Sequence, residues 1–154
     1  MSNKRTILFV TTLSSFLTPF MGSAINIALP EIGKEMNMNT IQLGWVATSY
    51  LLAAAVFLLP FGRLADRNGR KKLFMYGIIL FGVASGLSAL AFNWWILILS
   101  RTLNGIGGAM IYATALAILT SAFPKNERGK ALGINVASVY LGLSLGPTLG
   151  GFLT

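Results

Sequence analysis

The stretch Gly62-Arg63-Leu64-Ala65-Asp66-Arg67-Asn68-Gly69-Arg70-Lys71-Lys72 limits what the rest of the chain can fold into. It gathers five cations, one acid and two glycines between two runs, 41–61 and 73–91, that carry no charge at all. Each run is about 20 residues long, and a helix rising about 1.5 Å per residue then covers roughly 30 Å, the thickness of bilayer hydrocarbon. A hydrophilic stretch this short, between two such runs, has to turn outside the membrane. Its cations place it on the cytoplasmic side, because positively charged loops resist translocation.

Composition agrees with two membrane spans and asks for more. Charged residues make up 10% of the chain and hydrophobic ones 55%, where soluble domains carry about 25% charged residues. The expected fold class is therefore all-α: a polytopic membrane helix bundle. The net charge of +8 does not read as nucleic-acid binding, because the cations sit in loops between apolar runs rather than on a soluble face. The chain has no cysteine and no histidine, which removes disulfides, thiolate chemistry and the commonest proton shuttle and metal ligand. No catalytic set and no metal site are expected, and the chain does not read as an enzyme.

Five spans are predicted over residues 6–29, 41–61, 73–91, 95–123 and 131–154. The first could be read as a secretory signal peptide with Gly22-Ser23-Ala24 as a cleavage site. Its apolar run, however, is about twice the usual 7–15 residues, and further spans follow it, so a retained helix is expected. Within it Thr11, Ser15, Thr18, Gly22 and Asn26 recur at three- and four-residue steps and share one face. Two readings of that face stay open, close packing on other helices or a lining for a watery cavity. Pro19 is expected to kink the span. Residues 31–40 are expected as an external polar loop, Pro60 as the end of the second span, and 125–130 as a second cytoplasmic loop after Pro124. Gly82 and Gly86, four apart on the third span, form a close-packing signature. Residues 92–95 are expected as a tight external turn, which brings Trp45, Trp94 and Trp95 near the outer interface that suits amphipathic rings.

The cations test this layout. Lys4, Arg5, Arg63, Arg67, Arg70, Lys71, Lys72, Lys125, Arg128 and Lys130 fall inside, Lys34 alone falls outside, and Arg101 lies within a span. So strong an asymmetry puts the amino terminus in the cytoplasm of a multi-pass protein of the cell membrane.

Arg101 is the single ionisable side chain inside a predicted span. An arginine at mid-membrane costs about 2.5–3.5 kcal/mol on insertion scales. It should face a cavity or a polar partner, or else snorkel to the nearer surface. Asn104 offers it a hydrogen-bonding neighbour, and Gly105, Gly107 and Gly108 leave room for another helix. On the fifth span Gly142, Gly146 and Gly150 repeat every four residues and leave a groove for a partner helix. Pro147 lies among them and should bend the helix or fix its angle.

Together these residues resemble the major facilitator superfamily. Gly62, Asp66, Arg67, Gly69, Arg70 and Lys71 match its signature between helices two and three. Arg101-Thr102-Leu103-Asn104-Gly105 is similar to its helix-four arginine motif, with asparagine where glutamine is common. The run Gly142, Gly146, Pro147, Gly150, Gly151 resembles the helix-five antiporter motif. Ala24-Ile25-Asn26-Ile27-Ala28-Leu29-Pro30 and Trp45-Val46-Ala47-Thr48-Ser49-Tyr50 are similar to drug:proton antiporters, especially the fourteen-helix branch. The resemblance covers essentially the whole chain.

It implies secondary active transport: proton-coupled efflux of small drug-like or hydrophobic compounds in a full-length parent, with nutrient import or a non-transporting fragment as alternatives. The loop around Asp66 would latch one conformation. Arg101, Asn104 and Asn26 would act in the cavity, and 142–151 would form a tight hinge or seal. No cofactor is implied beyond a proton gradient as energy source. The implied partners are the lipid bilayer, a small-molecule substrate and the C-terminal helices of the parent. Two departures stand out. Met21 occupies the position where the fourteen-helix branch usually has an acid, and residues 1–154 supply five helices of a six-helix half-bundle.

Overall fold

The computed structural model describes residues 2–153, and among them five α-helices and no strand. They are α1 (Ser2–Glu35), α2 (Thr40–Asn68), α3 (Arg70–Ala89), α4 (Trp94–Ala122) and α5 (Lys125–Leu153). All five are long and apolar enough to cross a membrane. A helix satisfies its backbone hydrogen bonds within itself, which is what hydrocarbon demands of a spanning segment.

The helices run further than the hydropathy pattern suggests, and the connections shrink accordingly. The first correction concerns 31–40. Instead of a loop there, α1 continues through Pro30 to Glu35. Proline holds φ near the helical value and removes one donor, while Lys34 Nζ meets Glu31 Oε1 at 2.7 Å, one turn apart. The chain leaves the helix at Asn37, whose φ is 51°. Asn39 then opens α2 with a capping box. Its Oδ1 accepts from Gln42 N and Gln42 Oε1 accepts from Asn39 N, each at 2.9 Å.

The second correction concerns 62–72. Pro60 lies inside α2, which runs on to Asn68. Of the expected loop only Gly69 is outside a helix, and its φ of 101° explains why glycine stands there. The third concerns 125–130, which form the first turns of α5. Pro124 stops α4 and starts α5, its carbonyl accepting from Glu127 N at 2.9 Å and Arg128 N at 3.1 Å. The turn between α3 and α4 falls at 90–93 rather than 92–95, with Asn93 Oδ1 accepting from Ile96 N at 3.0 Å.

The chain divides into two compact units, Met1–Ala28 with Thr114–Thr154, and Leu29–Ala113. In the first, α1 packs on α5. In the second, α2 and α3 pack on the amino-terminal two thirds of α4. The apolar side chains left outside are numerous. On α3 alone Met75, Tyr76, Ile79, Val83 and Leu87 are exposed, whereas Leu73, Phe74, Phe81 and Ala84 are buried. A helix apolar on both its packed and its open face belongs in lipid or in a larger helix assembly.

Candidate functional site: a charged turn and two glycine-lined seams

At the α2–α3 turn, Asp66 occupies the last turn of α2 and Arg70 the first of α3. Arg70 Nε and Nη2 donate to Asp66 Oδ1 at 3.1 and 3.0 Å across the Gly69 break. Asp66 thus pairs with an arginine of the same stretch. Arg67 and Lys71 are exposed, as are Asp66 and Gly69, and Gly62 has open space beside it. The residues of the signature therefore come together at one helix–helix corner, on two helices joined by a single glycine.

In the same unit, α4 is pressed between α2 and α3 by its glycines. A Cβ on Gly105 would collide with Tyr50 O of α2, and one on Gly107 would lie 2.9 Å from Phe81 N of α3. Gly77 of α3 completes this seam, since a Cβ there would sit 2.8 Å from Met110 Cβ. Gly82 and Gly86, expected as the close-packing pair, instead have nothing within 4 Å. A four-residue step fixes which glycines share a face but not which face meets a neighbour.

Such close approach buries Arg101 to 2% exposure and Asn104 to 1%. The guanidinium does not snorkel. Its Cζ lies 4.5 Å from the Tyr50 ring centroid, and its Nε donates to Val46 O at 3.4 Å. A cation over an aromatic face is attracted by the ring quadrupole, more strongly where water is excluded. Ser85 Oγ of α3 donates to Asn104 Oδ1 at 3.2 Å, and one turn away Ser100 Oγ donates to Ser88 Oγ at 3.0 Å. The Asn104 Nδ2 has no hydrogen-bond acceptor. The sequence alone does not mark Tyr50, Ser85 and Ser88 as partners of Arg101 and Asn104. The serine pair, three apart on α3, was the signal available.

The third assembly lies in the other unit, where α5 meets α1. A Cβ on Gly142 would strike Phe16 O, one on Gly146 would strike Ser23 Oγ, and one on Gly150 would lie 2.9 Å from Ala24 O. The ladder faces the α1 backbone in parallel register, four residues at a time on both helices. Gly151 makes only ordinary contact with Ile27, and Pro147 lies within α5. Below the ladder the seam turns polar. Asn135 Nδ2 donates to Ser15 Oγ at 3.0 Å and Ser138 Oγ to Thr12 O at 3.2 Å. Thr11, Ser15 and Thr18 are buried, so this part of the small-residue face on α1 is a packed one. Asn26 is exposed, in a different unit from Arg101 and Asn104.

Comparisons with known proteins give the family. The chain is 37% identical to the riboflavin transporter RibZ of Clostridioides difficile over 99% of its length and 34% of the relative's. It is 36% identical to the multidrug resistance protein Stp of Mycobacterium tuberculosis, over 95% of the chain and 27% of that protein. Against the puromycin resistance protein pur8 of Streptomyces alboniger the identity is 38%, over 96% of the chain and 29% of the relative. The chain thus spans about a third of the length of the curated relatives it matches. In fold it is similar to a crystal structure of a bacterial homolog of the human lysosomal transporter Spinster, inward-facing and unoccupied, with a TM-score of 0.87 at 24% identity. That match covers 98% of this chain and 32% of the other. The family model of the Major Facilitator Superfamily matches residues 11–154, which takes in the charged turn and both seams, and the chain belongs to that superfamily.

Proposed function

We propose that these five helices serve a secondary active transporter that exports small, drug-like or hydrophobic compounds in exchange for protons, within a parent as long as the relatives. The observation that carries this reading is the α1–α5 seam. Its glycines bring two helix backbones together without side chains between them, as a hinge or seal between conformations requires. The resemblance of 142–151 to the antiporter motif gives that seam its role in export, and the similarity to two drug-resistance proteins supports it. Asp66 and Arg70 latch one conformation at the cytoplasmic corner. Arg101 and Asn104, buried between α2, α3 and α4, are the polar pair within the membrane, and the amino terminus lies in the cytoplasm.

A second reading, transport of a metabolite, is favoured by the similarity to a riboflavin transporter across nearly the entire chain. Both readings are tested by expressing a parent that carries this sequence in cells stripped of their own efflux pumps. Export predicts that puromycin or ethidium accumulates less in those cells, and that a protonophore restores accumulation. Unchanged drug accumulation together with altered riboflavin flux would favour the second reading. No change in either flux would favour a membrane segment without transport.

A further inference from the structure

The starts of α1 and α5 meet in a surface cavity of about 340 Å³, lined by Asn3, Lys4, Arg5, Leu8, Phe123 and Glu127. Lys4 is held in place there, its Nζ 3.3 Å from Glu127 Oε2 and 5.8 Å from the Phe123 ring centroid. Glu127 is the only acid in the sequence of this unit, against Lys4, Arg5, Lys125, Arg128 and Lys130. Arg128 turns its Nε to Phe123 O at 2.9 Å. Among the described residues Arg5, Lys125 and Lys130 have no carboxylate partner. This unit therefore carries an excess of positive charge in its own sequence.

The lining has two chemistries. Lys4 and Arg5 suit a phosphate oxygen, because charge-assisted donors bind oxyanions strongly. Leu8 and Phe123 form an apolar wall. A free phosphate gains nothing from that wall and keeps its hydration. A phospholipid meets both, with its phosphate on the cations and its glycerol and upper acyl chain along the wall. A basic cluster at the membrane edge also prefers a lipid of net negative charge over a zwitterionic one.

We propose that this cavity binds the headgroup of an anionic phospholipid, with Lys4 and Arg5 as the phosphate-binding residues. The site is independent of the transport reading, since it needs only α1 and α5 of one unit. The test uses the purified chain in uncharged micelles, titrated with dioctanoyl phosphatidylglycerol, dioctanoyl phosphatidylcholine and inorganic phosphate, and read by native mass spectrometry. One saturable phosphatidylglycerol site is expected, with phosphatidylcholine weaker and phosphate unable to displace the lipid at equal concentration. Lys4→Gln with Arg5→Gln should weaken phosphatidylglycerol binding roughly 25-fold, at about fivefold for each cation. Arg63→Gln with Lys72→Gln removes the same charge from residues outside the lining and should weaken binding less than the Lys4–Arg5 variant does. Glu127→Gln breaks the Lys4 ion pair but removes a negative charge, so binding should hold or tighten. Undiminished binding by the Lys4–Arg5 variant would overturn the proposal. So would equal loss in the Arg63–Lys72 variant, loss in Glu127→Gln, or displacement of lipid by free phosphate.

Discussion

Asp66 sits at the carboxyl end of α2, where the helix macrodipole is negative, and Arg70, Lys71 and Lys72 open α3, where it is positive. Each stands at the less favourable end, so local helix stability does not account for them. The ion pair adds little to stability either. Its side chains are 64% and 41% exposed, and a pair open to water contributes at most about 1 kcal/mol. What remains is orientation of the helices and, on the proposed function, a latch at the corner. The substitution Asp66→Asn in a full-length parent is therefore expected to leave insertion and thermal stability unchanged while transport falls several-fold. Flux and melting temperature measured on the same preparation decide it; normal flux would reduce the corner to a topological signal. Arg101 differs because it is buried. Its charge was visible in the sequence as an anomaly inside an apolar run. The Tyr50 ring that receives it was not, because the two are 51 positions apart and meet only once Gly105 lets α2 and α4 close.

Close approach also orders the elements. Gly142 and Gly82 are both helical glycines on spans, yet one would meet Phe16 O and the other nothing. Alanine at Gly142 should destabilise α1–α5 packing by about 1–3 kcal/mol, as overpacking does. Alanine at Gly82 should be neutral or slightly stabilising, because glycine costs about 1 kcal/mol within a helix. Thermal melts of the two variants in micelles separate them; equal melting temperatures would mean that the ladder is not packed as described. The number and order of the helices were legible because uncharged runs and basic breaks are a strong, local signal. Their ends were less so. Hydropathy falls at Glu31, Gly62 and Lys125, but helical hydrogen bonding does not stop where polarity begins, and the nearby turns come instead at Asn37, Gly69 and Pro124. Asn39 and Gln42 spell a capping box that could have placed the start of α2. The Asn135–Ser15 and Ser138–Thr12 contacts could not have been found this way, because they depend on the register of two helices some 120 residues apart in sequence.

For the whole molecule, the charge layout makes a topology that labelling can check. The chain has no cysteine, so single cysteines report cleanly. At Asn68 and Asn126, both exposed, they should react only after the cytoplasmic side is opened, whereas one at Asn37 should react from outside. Reaction at Asn68 in sealed cells would invert the map. Transport asks for more than these five helices. Alternating access in folds of this kind rocks one repeat against another around a midplane site, and the acids of this chain, Glu31, Glu35, Asp66 and Glu127, are all exposed near helix ends. The chain is expected to insert and to remain inert. The direct test reconstitutes purified chain and purified parent in separate proteoliposomes under the same imposed pH gradient. Saturable, gradient-dependent uptake of a drug-like substrate is expected from the parent and none from the 154-residue chain. Saturable uptake by the chain alone, abolished when the gradient is dissipated, would contradict it.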